Sequence, residues 1–319
     1  MSEAAIIGID VGGSKTRGLV LADGEKIAAR ETATETSSGD AVLRGIMQCF
    51  RELEDEALRA GARVVALGVG VAGYIDFAAG TVTESPNLPL RDLPLREILQ
   101  EETGLAVALD NDANAAALAE NRLGAGRGCL HQLHLTLGTG IGGGIIIDGR
   151  LYRGASGAAA ELGHIIVMEG GPRTACGHSG CLEALASGLA VEREARLRLE
   201  DGWRPVGMGE GERSRLSARE VAEVARAGDR TALEIWEEVG RFLGVGVASL
   251  INAFNPQAVT FSGGMTGAWE FFSRALLESV ECYAIPLARR ASRIEPTALG
   301  EKCGALGAAL LAEEVTRSD

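Results

Sequence analysis

LHQLHLTLGTGIGGGIIIDGRLYRG, residues 130–154, has the same grammar as AAIIGIDVGGSKTRGLVLADGEKIAAR, residues 4–30. Each opens on an apolar run, breaks at a glycine-rich turn, runs apolar again and breaks at Asp-Gly, a pair suited to a tight hairpin. At a constant offset of 125 residues Gly13 corresponds to Gly138, Gly18 to Gly143, Asp23 to Asp148 and Gly24 to Gly149. The correspondence predicts an internal duplication, with two similar lobes that each start strand, glycine turn, strand.

The opening segment reads as three antiparallel strands, followed by a helix at about 40–60. RVVALGVGVAG (63–73) reads as a buried strand, LREILQEETG as a helix closed by Gly104, LAVALD as a strand and DANAAALAENRLG as a helix closed by Gly124. Ser217 and Glu220 fit a capping box, and Ala232, Ile235, Trp236, Val239, Leu243, Val247 and Leu250 mark a long buried helix. QAVTFSGGMTG is a strand running into Gly263-Gly264, and GALGAALLAEEV is a last helix. The segment from about 200 to 216, rich in Gly, Arg and Glu, reads as a surface loop. The class is mixed α/β.

A chain of 319 residues, 46% hydrophobic, can bury a large core and suggests two domains. With 44 acidic against 31 basic residues the net charge is -13, which repels the phosphate backbone of nucleic acid over most of the surface and argues against a nucleic-acid partner. The start, MSEAAIIGID, has no basic n-region or long apolar h-region, and no stretch offers about 20 uninterrupted apolar residues, so no membrane association and a cytoplasmic location are expected. In that compartment the six cysteines, Cys49, Cys129, Cys176, Cys181, Cys282 and Cys303, read as reduced thiols.

Three glycine turns offer phosphate groups close access to backbone N–H donors: Gly12-Gly13-Ser14-Lys15-Thr16, Gly138-Thr139-Gly140-Ile141-Gly142-Gly143-Gly144, and Gly263-Gly264. Any one alone is most simply a hairpin without a ligand. Two at matching places plus a third shift the balance to a nucleotide held between lobes. Asp10, just before the first turn, suits water-mediated Mg²⁺ binding or capping of the turn amides. Asp110-Asn111-Asp112-Ala113-Asn114 is more polar than an N-cap needs, and on spacing either Asp112 or Asp110 suits the proton acceptor of a phosphoryl transfer. Glu161, His164, Thr174, Cys176, His178, Cys181 and Glu183 form a third cluster, in which CGHSGC suits a metal knuckle or a pair of buried thiols.

In IDVGGSKT, VAGYID, ESPNLP, DNDANAAALAE, LTLGTGIGGGIIIDGRLYRG, ELGH, CGHSGCLE and SGG, taken in order, the chain resembles the ROK family of the actin-like ATPase superfamily, its bacterial glucokinases above all. The resemblance implies an α/β fold of two actin-like (ribonuclease H-like) lobes with a cleft between them. It places residues 1–120 with 303–319 in a small lobe and residues 121–302 in a large one. It implies ATP and Mg²⁺ as cofactors, a hexose as substrate and a homodimer. The activity implied is ATP-dependent phosphorylation of glucose to glucose 6-phosphate, with Asp112, rather than Asp110, as catalytic base. Asn87, Asn111, Asp112, Glu161, His164 and Glu183 fall on sugar-contacting positions. Asp10, Gly12, Gly13, Ser14, Lys15, Thr16, Gly138, Thr139, Gly140 and Gly142 fall on the phosphate side, and Gly263 and Gly264 by the adenosine. The family also binds Zn²⁺ through a His and three Cys. Thr174 stands where the first Cys is expected, leaving His164, Cys176 and Cys181, so either the zinc is lost or His178 or a water completes the site.

An N-acetylglucosamine or N-acetylmannosamine kinase shares every motif and differs in the room around the sugar C2 substituent. A sugar-responsive transcription regulator is expected to carry a helix-turn-helix ahead of the first strand, where this sequence has only MSEA. A non-catalytic sugar binder is separated from all of these by ADP production.

Overall fold

In the computed structural model, which describes residues 3–174, 177–207 and 216–316, the two matched segments adopt matched backbones. β1 (Glu3–Val11), β2 (Lys15–Ala22) and β3 (Glu25–Ala33) form the expected antiparallel meander. Its second turn is made by Asp23 at φ 48° and Gly24 at φ 79°. The corresponding Asp148 and Gly149 take φ 52° and 73°. Positive φ at both central residues is what a twisted two-residue hairpin demands.

The meander leads through α1 (Gly39–Arg59) to β4 (Ala62–Val71), which lies parallel to β1. A three-stranded sheet of β5 (Tyr74–Asp76), β6 (Thr81–Glu84) and β7 (Arg91–Leu93) follows, then α2 (Leu95–Thr103), β8 (Ala106–Asn111) and α3 (Asp112–Leu123). The first large sheet has the order β3-β2-β1-β4-β8. Its odd-numbered β1 positions, Ile7 and Ile9, join Val69 and the α1 residues Val42, Ile46, Phe50 and Leu53 in one core. Gly104 closes α2 in the left-handed conformation, at φ 68°. Gly124 closes α3 for another reason: its φ of -106° suits any residue, but a side chain there would run into the Glu120 carboxylate.

The second large sheet has the order β11-β10-β9-β12-β13, built from β9 (Gln132–Leu137), β10 (Ile141–Ile147), β11 (Arg150–Leu151), β12 (Ala258–Ser262) and β13 (Arg293–Pro296). β12 runs parallel to β9 and β13. Both sheets therefore carry a hairpin on one side of a first strand and two further strands on the other. Between β11 and β12 lie α4 (Leu182–Ala186), α5 (Gly188–Glu200), α6 (Ala218–Arg226) and α7 (Arg230–Phe254). The Ser217–Glu220 capping box opens α6. α8 (Trp269–Tyr283) and α9 (Pro286–Ala291) precede β13, and α10 (Cys303–Thr316) ends the described chain. Of the segment read as a loop, residues 208–215 lie outside the described residues.

Two compact units result. One comprises Met1–Gly128, Gly144–Ala160 and Leu299–Asp319; the other comprises Cys129–Gly143 and Glu161–Ala298. In the first, α10 packs against β1 and β4 on the face opposite α1, because Gly8 and Gly68 alternate with the α1-facing residues of their strands. A side chain at Gly68 would collide with the Ala308 carbonyl, and one at Gly307 with the Ala115 carbonyl. In the second, α7 and α8 meet where Gly240 and Gly244 leave room for the Phe272 and Leu276 carbonyls, with Trp236 stacked on Phe272 at 5.9 Å. Among the described residues no helix is long and apolar enough to cross a membrane, and Cys49, Cys129, Cys181, Cys282 and Cys303 are free thiols.

Candidate functional site

The first unit holds Asp10, the Gly12–Thr16 turn, Asn87, Asn111 and Asp112. The turn closes through the Gly12 N–H on the Lys15 carbonyl at 3.0 Å and lies against Asn87, whose Cβ and carbonyl oxygen would be 3.1 and 3.2 Å from any Cβ added at Gly13. Asn87 is exposed on a loop gathered by Ser85, which accepts from the Asn87 and Leu88 N–H groups at 3.3 and 3.0 Å and donates to the Ala72 carbonyl at 2.5 Å. The side chain of Lys15 pairs with Glu31 at 2.5 Å, and the Thr16 hydroxyl bonds that of Thr34 at 3.0 Å. What this turn presents is therefore its backbone and Ser14.

Asp112 is the first residue of α3. Asn111 caps that helix, accepting from Ala113 and Asn114 N–H at 2.9 and 3.2 Å while its amide donates to the Gly73 carbonyl at 3.1 Å. The two neighbouring acids differ sharply. Asp110 is buried, with Oδ1 on the Asn111 N–H and the Asn114 amide at 2.8 and 2.9 Å, and Oδ2 on Arg153 at 2.7 Å. Asp112 bonds only to groups of its own turn, the Ala113 N–H at 3.0 Å and Asn111, and among the described residues no cation pairs with it. Burial pushes its carboxyl up to about 6 against those bonds. Asp10 is pushed up to about 7, by burial first and by the charge of Asp112 second, with Arg17 opposing. Gly304, in the first turn of α10, makes room for the Asp10 carboxylate: a Cβ there would sit 2.5 Å from Cγ.

The second unit holds the Gly138–Gly142 turn, Glu161, His164, Cys181, Glu183 and Gly263-Gly264. The turn is tied from three directions. Glu183 accepts the Ile141 N–H at 2.9 Å across the space left by the missing side chain of Gly140. The start of α5 binds the turn through Gly188 N–H to Gly138 carbonyl at 2.8 Å and Leu189 N–H to Thr139 carbonyl at 3.3 Å. Thr136 accepts the Gly142 N–H at 3.2 Å. Gly263, at φ 95°, lies on the backbone of Leu137, so the third turn sits directly beside the second. Beneath them His134, wholly buried, links Thr260 and Ser262 at 2.8 and 2.9 Å; burial lowers it to about 3, so it is neutral. His164 and Glu161 lie together at the short helical turn Leu162–His164, with Nε2 and Oε2 3.7 Å apart.

A family model described as the ROK family matches residues 6–315. The chain belongs to the ROK family. A glucokinase of Thermotoga maritima is 38% identical over 98% of this chain and 99% of its own length, and a glucokinase of Halalkalibacterium halodurans is 33% identical over 100% and 98%. A ROK family glucokinase from Streptomyces griseus, solved in complex with glucose and AMPPNP, superposes with a TM-score of 0.86 at 35% identity, covering 97% of this chain and 99% of that one.

ROK membership implies zinc, but the donors described here do not make up its site. His164 Nδ1 is buried without a hydrogen-bond partner among the described residues, as a metal ligand would be. Cys181, however, has its sulfur 3.7 Å from the Thr174 hydroxyl, and Cys176 lies outside the described residues. Among the described residues no three His, Cys, Asp or Glu side chains gather as ligands. The loop closes on its own backbone: Thr174 N–H to His178 carbonyl at 3.2 Å, Gly177 N–H to Thr174 carbonyl at 3.0 Å and Gly180 N–H to Pro172 carbonyl at 2.8 Å. Sequence reasoning missed Arg153, Ser85, Gly188 and Gly304. Arg153 and Gly188 act through partners far away in the chain and Gly304 through the absence of a side chain, none of which leaves a local pattern, whereas Ser85 gathers a local turn that a serine two residues before Asn87 could have signalled.

Proposed function

We propose that this chain transfers the γ-phosphoryl group of ATP to a hydroxyl of glucose, with Asp112 as the base that takes the hydroxyl proton. The observation that carries this reading is the contrast between the two acids: Asp110 spends its oxygens on Asn111, Asn114 and Arg153, whereas Asp112 stands at a helix start with no cation on it among the described residues. A carboxyl raised to about 6 is largely ionised at neutral pH and more basic than an ordinary aspartate, which suits proton acceptance. The relatives named glucokinase support glucose as the acceptor.

In this reading Asn87, Asn111, Glu161, His164 and Glu183 orient sugar hydroxyls, the Gly12–Ser14 and Gly138–Gly142 turns lie on the phosphate side, and Gly263-Gly264 lies by the adenosine. Mg²⁺, when bound, neutralises charge on the phosphate oxygens. Asp10 fits it as a hard oxygen donor, since its carboxylate has no hydrogen-bond partner among the described residues. The mechanism is positional, with attack in line on phosphorus and the proton leaving to Asp112. A cytoplasmic homodimer completes the proposal, its mass read by light scattering.

ADP release with Mg-ATP against glucose, mannose, fructose, N-acetylglucosamine and N-acetylmannosamine tests it. Turnover is expected with glucose. Turnover with an acetamido sugar alone changes the acceptor, and none with any sugar overturns the kinase reading.

A further inference from the structure

Arg153 follows β11 and reaches Asp110, 43 residues earlier in the chain, with Nε and one terminal nitrogen each 2.7 Å from Oδ2. Asp110 is only 2% exposed, so the pair is largely withdrawn from water. The arginine is itself held. The N–H of Tyr152 donates to the Ile145 carbonyl at 2.8 Å, the N–H of Ala159 donates to the Arg153 carbonyl at 3.2 Å, and the guanidinium lies over the Phe77 ring at 3.9 Å. On the other side of the pair, Asp110 Oδ1 holds two groups of the turn that carries Asp112: the Asn111 N–H and the Asn114 side-chain amide. Asn114 Oδ1 is buried with no hydrogen-bond partner among the described residues, so the bond to Asp110 is what orients this side chain.

We infer that Arg153 is a positioning residue for Asp112, acting through Asp110 to fix the first turn of α3. The inference rests on the reading of Asp112 as the base. The chain of contacts runs from a guanidinium stacked on Phe77 and carried by a tied backbone, through a carboxylate using both oxygens, to the N-cap and the third residue of the helix. Removing the guanidinium leaves a buried carboxylate with no cation, a strongly unfavourable state that the protein relieves by moving Asp110. The Asn111 and Asn114 bonds move with it, and Asp112 with them. A shift of about 1 Å in a reacting group can cost about 100-fold in rate. Arg153 is assigned no contact with sugar or nucleotide, so the loss belongs in kcat and not in KM.

Steady-state kinetics of the full chain with glucose and Mg-ATP tests this in three variants: Arg153→Met, Arg153→Lys and Asp110→Asn/Arg153→Met. Arg153→Met is expected to lower kcat by about 10–100-fold, with both KM values within about threefold of wild type. Arg153→Lys keeps the charge but loses the two-pronged geometry, so its kcat falls between the two. The double variant keeps an acceptor oxygen for Asn111 and Asn114 with no unpaired charge, and is expected to recover most of the loss even if Arg153→Met is thermally weaker. Wild-type kcat in Arg153→Met overturns the inference while leaving the kinase reading intact. So does a loss confined to KM, or a double variant no better than the single one, which would assign the effect to packing on Phe77. Wild-type protein that turns over no sugar instead overturns the kinase reading and removes the premise.

Discussion

Asp112 and Asp10 are carboxyls whose burial favours the protonated form, and the pH dependence follows from that. For catalysis Asp112 must be ionised, so kcat with glucose is expected to fall as pH drops through about 6, and a profile flat from pH 7.5 to about 5 would speak against its role. For stability the sign is opposite. A carboxyl raised in the folded state stabilises when protonated, fully below its ordinary range near 4, and this contribution is lost as pH rises through about 6 for Asp112 and about 7 for Asp10. Asp112→Asn should therefore gain thermal stability relative to wild type between pH 4 and 7, by about 3 kcal/mol once the wild-type carboxyl is ionised. A melting difference that shrinks with rising pH contradicts the assignment. The sequence shows the acid cluster at a helix start because capping residues have a local signature. It does not show which acid is paired, because Arg153 lies 43 residues from Asp110 and an arginine in LYRG looks like any other.

The glycine turns are elements defined by what packs on them. Gly140 has no side chain where Glu183 needs to lie, so Gly140→Ala is expected to push Glu183 off the Ile141 N–H and raise the KM values for ATP and glucose, by about 10-fold for the loss of about 1.4 kcal/mol of hydrogen bonding. Unchanged KM values would detach Glu183 from the turn's function. α10 is seated by glycines as well. Gly68→Ala puts a methyl on the Ala308 carbonyl and is expected to cost about 1–3 kcal/mol in urea denaturation. Full stability would mean that α10 can shift freely. The sequence marks the turns because glycine clusters punctuate apolar runs. It cannot distinguish a glycine needed for φ, such as Gly104, from one needed for space, such as Gly124, since that depends on the neighbour.

At the scale of the molecule, two sheets share one strand order, a hairpin on one side of a first strand and two further strands on the other. Asp10, Asn87 and Asp112 belong to the first unit, and the Gly138–Gly142 turn, Glu183 and Gly263 to the second. The matched turns were legible because the hairpin chemistry at Asp23-Gly24 and Asp148-Gly149 is local. The expectation that α10 joins residues 1–120 comes from the family resemblance alone, since an Ala-rich helix carries no record of its partner. The most direct test of the account is the glucose-dependent kcat of Asp112→Asn, with glucose binding followed separately by calorimetry. A kcat lower by about 10²–10⁴-fold, with glucose still bound, is expected. A variant that binds glucose and turns over within about threefold of wild type would contradict it.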